Sequence, residues 1–488
     1  MKIFHLLLCL FVFSPNIIAQ TWRCGTEGNN VVATLNNSTL TISGAGAMAN
    51  FSSDNQPWAK HRCIIKKIII GNEVTNIGNN AFNCCVGLTL VINHATVPPT
   101  ISPRSFYGVE LQNITLRVPT ASIEYYKAAN IWNEFGRIAP IDSIAALVEE
   151  KLAIMSIEEK IGQLFIMHLP GGVRTINNVA REMINNYHVG GFILFANNVS
   201  SIEQVQLLNS SLQEISTVPL FIAIDEEGGR VSRLRSLYSP RIGTAFSIGS
   251  GGDSQAAFDA AHTIGERLQE LGINMNFAPV ADIWSNPENR VIGDRAYGSE
   301  PEITGEMTGA AVSGFREAGI LSVVKHFPGH GDTLEDSHYV QAVYPHDKER
   351  FDDFEAYPFR RGIEAGADGV MVGHIATPMV HLDDPDLPAV FSQYWIQEVL
   401  RNDWGYQGLI ITDALNMGGL TRYYNIEDIV VKAFLAGADI LLMPANLSKA
   451  VDAIRAAYDD GLITDQRIDE SVYRILYAKY ADVGGYTD

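Results

Sequence analysis

Apolar and polar positions follow two different rhythms along this chain. From residue 141 onward, short apolar runs alternate with longer stretches whose apolar positions recur at helical spacing. Eight runs predict strands: Gln163–Met167, Gly191–Phe195, Leu220–Asp225, Asn274–Val280, Ser322–Phe327, Gly369–Gly373, Gly408–Asp413 and Asp439–Met443. Between them, segments such as Ser201–Ile215, Ala256–Leu271 and Ile303–Ala318 predict helices. Ser156 followed by Glu158 and Glu159 predicts a helix start, because an N-cap oxygen and early carboxylates satisfy free amides. Leu462–Tyr480 predicts a closing helix. Strands apolar throughout, alternating with helices, predict a parallel sheet covered on both faces. Eight such units predict an α/β chain closed as a (β/α)8 TIM barrel over 141–488, with an open doubly wound sheet as the alternative.

Residues 20–140 repeat instead. Apolar triplets at Ile68–Ile70, Leu90–Ile92 and Ile114–Leu116 begin 22 and 24 residues apart, and Phe82 and Phe106 share that interval. A period in the twenties predicts a solenoid adding one strand per repeat. The text IIIGNEVTNIGNNAF resembles the leucine-rich repeats of bacterial surface proteins, and VPTASIEYYKAANIWNEF resembles their helical end cap. That resemblance implies a short β-rich domain attached to a surface or protein partner, or serving as a passive spacer.

The first residues change the setting. Lys2, the apolar run Ile3–Phe13 and Ile17-Ile18-Ala19 predict an export signal over 1–19, cut after Ala19. Pro15 and Asn16 keep the run short of the roughly 20 apolar residues a membrane span needs. Export to periplasm, surface or medium allows Cys24, Cys63, Cys84 and Cys85 to oxidise. Cys24 and Cys63 are candidates for a staple, while Cys84 and Cys85 read as small buried apolar residues. From residue 86 to the end there is no cysteine, which excludes thiol chemistry there. The formal net charge of -20 disfavours nucleic acid and anionic lipid, and favours an uncharged polymer.

Reactive groups of such a barrel belong at the carboxyl ends of its strands. Strand three ends in Asp225-Glu226-Glu227-Gly228-Gly229-Arg230, strand four near Asp282, strand five in Lys325-His326, strand six in His374 and strand seven in Thr412-Asp413. The densest segment is KHFPGHGDTLEDSH, Lys325–His338. His330, Asp332, Asp336 and His338 could serve as N/O metal ligands, or the loop could satisfy its own polar groups. A third possibility is glycoside hydrolysis, with a carboxylate on one face of the sugar and a proton donor on the other. A histidine held by a carboxylate can be that donor, and Asp336–His338 offers the pair.

KHFPGHG followed by DSH, with DEEGGRV upstream and ITDALNM downstream, resembles glycoside hydrolase family 3 over about residues 143–480, nearest its bacterial β-N-acetylglucosaminidase branch. The resemblance implies Asp413 as nucleophile, His338 as general acid/base and Asp336 as its orienting partner. It implies Asp225, Arg233, Arg295, Lys325 and His326 as sugar-binding groups, with no metal and no cofactor. Arg295 could instead pair with Asp294, and Gly228-Gly229 could allow close approach to the sugar or form a plain turn. Many family members take their acid from a second domain after the barrel; with the chain ending at Asp488, the expectation is an acid from the barrel itself.

The resulting expectation is an exported, exo-acting, retaining β-N-acetylhexosaminidase acting on peptidoglycan-type or other glycans. The alternatives are a glycoside phosphorylase or β-glucosidase of the same family, or a glycan-binding surface protein with an inactive barrel.

Overall fold

The computed structural model describes residues 20–26, 30–141 and 143–483. The export signal expected over 1–19 lies outside the described residues. Those described form two compact units, one running to Ala146 and one starting at Leu147.

The first unit is a β-solenoid. Its main sheet runs in chain order through β1 (Gln20–Arg23), β2 (Val31–Asn36), β3 (Thr39–Gly44), β4 (Lys67–Ile70), β5 (Leu90–Asn93), β6 (Thr115–Val118) and β7 (Arg137–Pro140). The first three are antiparallel, and each later strand adds parallel to the one before. A second parallel ladder joins Gly46–Ala47, Val74–Ile77 and Thr100–Ile101. Pairing sets Leu90 opposite Lys67 and Thr115, one residue off the apolar alignment. Ile68, Val91 and Leu116 thereby stack, fully buried. Phe82 and Phe106 stack similarly, ring centroids 5.0 Å apart. The cap helix Ile123–Ala128 is docked by the Tyr126 hydroxyl donating to Ala95 O at 2.9 Å. The expected Cys24–Cys63 staple is absent: all four cysteines described are free thiols. Cys24 is packed in the core, whereas Cys63 is exposed on the 3₁₀ turn Ala59–Ile64. Cys85 is buried and Cys84 half-buried.

The second unit is a parallel eight-stranded barrel: β8 (Phe165–His168), β9 (Gly191–Leu194), β10 (Phe221–Ile224), β11 (Met275–Asn276), β12 (Leu321–Phe327), β13 (Gly369–Val372), β14 (Leu409–Thr412) and β15 (Leu441–Leu442). The ring closes where Ile411 bridges Ile440 and the Leu442 amide donates to Thr412 Oγ1 at 3.0 Å. Helices between the strands cover the outside, so strand residues are buried on both faces. The helix predicted at Ser156 is Ile157–Gln163, opened by a Ser156/Glu159 capping box. Most of the strands are shorter than their apolar runs, for local reasons at Gln163 and Pro279. Gln163 ends that helix and accepts from buried Lys479 at 2.7 Å. Beyond Asn276 the regular ladder is interrupted at Pro279, which has no N–H to give. The Phe277 amide still donates to Ile224 O (2.8 Å), Ala278 O accepts from the Val323 amide (3.1 Å), and a bridge from Val280 to Lys325 follows. Asp439, at the opposite end from the reactive loops, is fully buried and structural. It accepts from Arg401 (2.6 Å), Ser471 (2.6 Å), Arg474 (3.1 Å) and the Ile410 amide (3.0 Å).

Candidate active site

The chain leaves β10 as three successive acids, and their directions decide their roles. Asn276 clamps the backbone of Glu226, donating to its carbonyl at 2.9 Å and accepting from its amide at 3.0 Å. The Glu226 side chain accepts from the Arg233 and Leu234 amides (2.6 and 3.0 Å), which folds the following turn. Asp225 and Glu227, two residues apart, face one cavity of about 330 Å³ at the strand ends. Lys325 bridges them, with Nζ 2.8 Å from Asp225 Oδ1 and 2.7 Å from Glu227 Oε1. Arg295 grips Glu227 with two bonds, Nε at 2.8 Å and Nη2 at 2.9 Å. Burial alone would raise the Glu227 pKa; Arg295 and Lys325 outweigh it and hold the group well below the usual carboxylate range. Arg233 lies 3.4 Å from Asp225, over the Phe195 ring, and its buried Nε has no partner among the described residues. Asp294, the alternative partner for Arg295, pairs with Arg230 at 2.8 Å.

Strand β12 delivers Lys325 and His326 side by side. Fully buried Asp282 accepts from the His326 ring Nδ1 at 2.7 Å and from the His330 amide at 2.7 Å. Burial would raise Asp282, but the neighbouring histidines hold it low, so it stays ionised. The loop then passes close to other backbone. A Cβ on Gly331 would sit 1.7 Å from Ile283 O, so no other residue fits there. His330 is buried, with Nδ1 2.6 Å from Thr333 Oγ1 and Nε2 3.0 Å from Ser337 Oγ. Burial, helped by nearby His326, lowers its pKa to about 4 and keeps the ring neutral.

Asp336 Oδ1 accepts from the His338 amide at 2.9 Å and faces the His338 ring Nδ1 at 2.7 Å. Burial acts to raise Asp336, and the His338 bonds overcome it and lower its pKa. His338 opens to solvent, its side chain 61% exposed. The segment is pinned to the turn after β14, where the Gly418 amide donates to His338 O (2.9 Å) and the Gly419 amide to Ser337 O (3.1 Å). On Gly418, a Cβ would meet Tyr339 O at 2.6 Å. Asp413, at the tip of β14, accepts from the Ala414 amide at 2.7 Å. Its burial would raise its pKa, but His374 and His326 outweigh this and keep it below the ordinary value. His374 is buried after β13, and its Nε2 donates to Ala414 O at 2.9 Å.

Of the residues marked from sequence, Asp225, Arg233, Arg295, Lys325, His326, His338 and Asp413 line this one cavity, and Asp336 reaches it through His338. Glu227 and His330 line it too, the first with no role read from the sequence and the second only as one of the alternative metal ligands. The signal for Glu227 was its position two residues after Asp225, on the same side of an extended chain. Gly228 and Gly229 form the turn, with φ of 87° and 51°, packed on Ile242–Thr244 and away from the cavity. The four residues that could have formed a metal set are not gathered. His330 bonds Ser337 and Thr333, Asp332 bonds His346, and Asp336 bonds His338. The described residues contain no group of three or more His, Cys, Asp or Glu arranged for a metal.

Comparison with known proteins supplies the context. Residues 156–478 match the glycosyl hydrolase family 3 N terminal domain, and residues 59–133 match the BspA type leucine rich repeat region in six copies. The chain is 39% identical to beta-hexosaminidase A of Pseudoalteromonas piscicida over 326 residues, 61% of this chain and 54% of that protein. It is 35% identical to the beta-hexosaminidase of Hydrogenovibrio crunogenus over 301 residues, 60% of this chain and 83% of the relative. A solved family 3 beta-N-acetylglucosaminidase from Paenibacillus sp. str. FPU-7 superposes with a TM-score of 0.66 at 40% identity, covering 68% of this chain and 64% of that one. The chain thus spans about half the length of the Pseudoalteromonas relative and about two thirds of the Paenibacillus structure.

Proposed function

The chain belongs to glycosyl hydrolase family 3, and from that premise we propose that it is an exo-acting, retaining β-N-acetylhexosaminidase that releases terminal GlcNAc. The observation carrying this reading is that Asp413 and the Asp336–His338 pair open on the same cavity, beside a cluster of fixed hydrogen-bond donors. Its volume of about 330 Å³ suits one terminal sugar.

In the first step the ionised Asp413 carboxylate attacks the anomeric carbon and the glycosidic C–O bond breaks. The proton on His338 Nε2 passes to the leaving oxygen, while Asp336 at Nδ1 fixes the ring and stabilises its protonated form. In the second step water attacks the glycosyl ester, His338 recovers a proton from that water, and the Asp413 carboxylate is released, giving net retention. Asp225, Arg233, Lys325 and His326 orient the sugar hydroxyls. Arg295 shapes this donor set through Glu227.

No helix among the described residues is long and apolar enough to cross a membrane. With the signal read over 1–19, the protein is exported, and the repeat unit holds it to a surface or partner where it meets peptidoglycan-type or other glycans. The test is a panel of aryl β-glycosides (GlcNAc, GalNAc, glucose, xylose) with phosphate and chelator varied. GlcNAc turnover independent of both is expected. Asp413→Asn should lose activity by about 10³-fold or more, and His338→Ala by about 10²–10⁴-fold. Full activity in either variant, or sugar 1-phosphate as product, overturns the reading.

A further inference from the structure

His330 lies in the cavity wall but offers the substrate no free nitrogen. The Thr333 hydroxyl donates to His330 O at 3.0 Å, which leaves its oxygen to accept the His330 Nδ1–H at 2.6 Å. Nε2 then has only a lone pair, and the Ser337 hydroxyl, 3.0 Å away, is its donor. Ser337 stands between Asp336 and His338 and is itself buried. The base of the arrangement is equally fixed. The His330 amide donates to Asp282, the same carboxylate that holds His326, and Asn289 donates to His330 O at 2.7 Å. The backbone of the acid/base segment is also held by the Gly418 and Gly419 amides on its carbonyls and by the Tyr339 and Val340 amides on Asp336 O (2.9 and 3.0 Å), bonds that set no side-chain direction.

We propose that His330 is a positioning residue for the proton-transfer pair: by accepting the buried Ser337 hydroxyl it sets the segment that presents Asp336–His338 to the glycosidic oxygen. The inference rests on the reading of His338 as general acid. It joins the sugar-binding and proton-transfer halves of the site through one carboxylate, Asp282, with His326 on one arm and His330–Ser337 on the other. An acid displaced from its place slows departure of poor leaving groups, which need a proton, and spares good ones, which do not.

The experiment measures kcat/KM, which reports the first step, for 2,4-dinitrophenyl and phenyl β-GlcNAc on the full chain, with thermal unfolding followed in parallel. Ser337→Ala and His330→Asn should each raise the dinitrophenyl-to-phenyl ratio by about tenfold or more. His330→Gln, whose amide oxygen can take the place of Nε2 as acceptor, should return it toward wild type. A ratio unchanged in whichever of the first two variants folds overturns the inference. His338→Ala in the same series separates the two readings. If it raises the ratio and the others do not, only the role of His330 falls. If it leaves the ratio unchanged, the acid assignment falls and this inference with it.

Discussion

Replacing Glu227 by Gln tests whether the cavity is held together by charge. The side chain is 5% exposed and receives three charge-assisted bonds, from Lys325 Nζ and from Nε and Nη2 of Arg295. Neutralising it leaves Lys325 with Asp225 alone. Arg295 keeps only the Val291 carbonyl at 3.2 Å and the His326 ring at 3.5 Å. Removing one partner of a buried pair costs about 3–5 kcal/mol, because the stranded cation is not rehydrated. Gln retains one carbonyl acceptor, so the low end, about 3 kcal/mol, is expected. The pH dependence has a definite sign. Glu227 has its pKa depressed on folding, so its contribution is present above its ordinary value of 4.5 and is lost as pH falls below it. The Gln variant lacks that titration, and its acid limb must be shallower than wild type. Calorimetry of the full chain from pH 7 down to about pH 2, variant against wild type, reads both effects, since the loss sets in only below 4.5 and runs down to the depressed folded value. KM should rise as the sugar-binding cations relax. A variant as stable as wild type at pH 7 and with the same acid limb refutes the reasoning.

Two further substitutions separate geometry from stability. Gly418→Ala would place a methyl 2.6 Å from Tyr339 O and 2.9 Å from His338 O, backbone atoms that can yield only by moving the acid/base segment. A displacement near 1 Å should lower kcat/KM by about 10²-fold, and wild-type kinetics would contradict it. Asp439→Ala strands Arg401, whose guanidinium is buried, and removes the acceptor for Ser471 and the Ile410 amide. It should cost about 3–5 kcal/mol in calorimetry with KM unchanged; a changed KM at wild-type stability would place Asp439 in the site instead.

The eight barrel strands are legible in the sequence because burial on both faces leaves apolar runs with no polar alternation. The solenoid is legible because each repeat stacks like on like, as Phe82 on Phe106. What is not legible depends on contacts distant in sequence. Asp439 and Asp413 both flank apolar strands, yet one is locked by Arg401 from an earlier helix and Arg474 from a later one, while the other opens on the cavity. Alternation along Asp225-Glu226-Glu227 marks Glu226 as the acid facing away from its neighbours, but not that Asn276, 50 residues on, clamps its backbone there. His330 and His338 look equivalent within one short loop. Burial against Thr333 and Ser337 makes the first a neutral acceptor, and exposure leaves the second free to exchange protons. The Cys24–Cys63 pairing failed for the same reason, since spacing says nothing of one thiol being in the core and the other at the surface.

On the proposal that His338 is the acid/base, its openness carries a consequence for the isotopic bookkeeping of turnover. An imidazole standing in water trades its proton with the solvent many times within a turnover, at rates of about 1–10³ per second for ordinary enzymes. The cavity therefore keeps no memory of the proton it took up in the preceding cycle. The proposed mechanism predicts that, in mixed light and heavy water, the hydron given to each leaving group is drawn afresh from the bulk, with nothing handed back by the hydrolytic water carried into the next round.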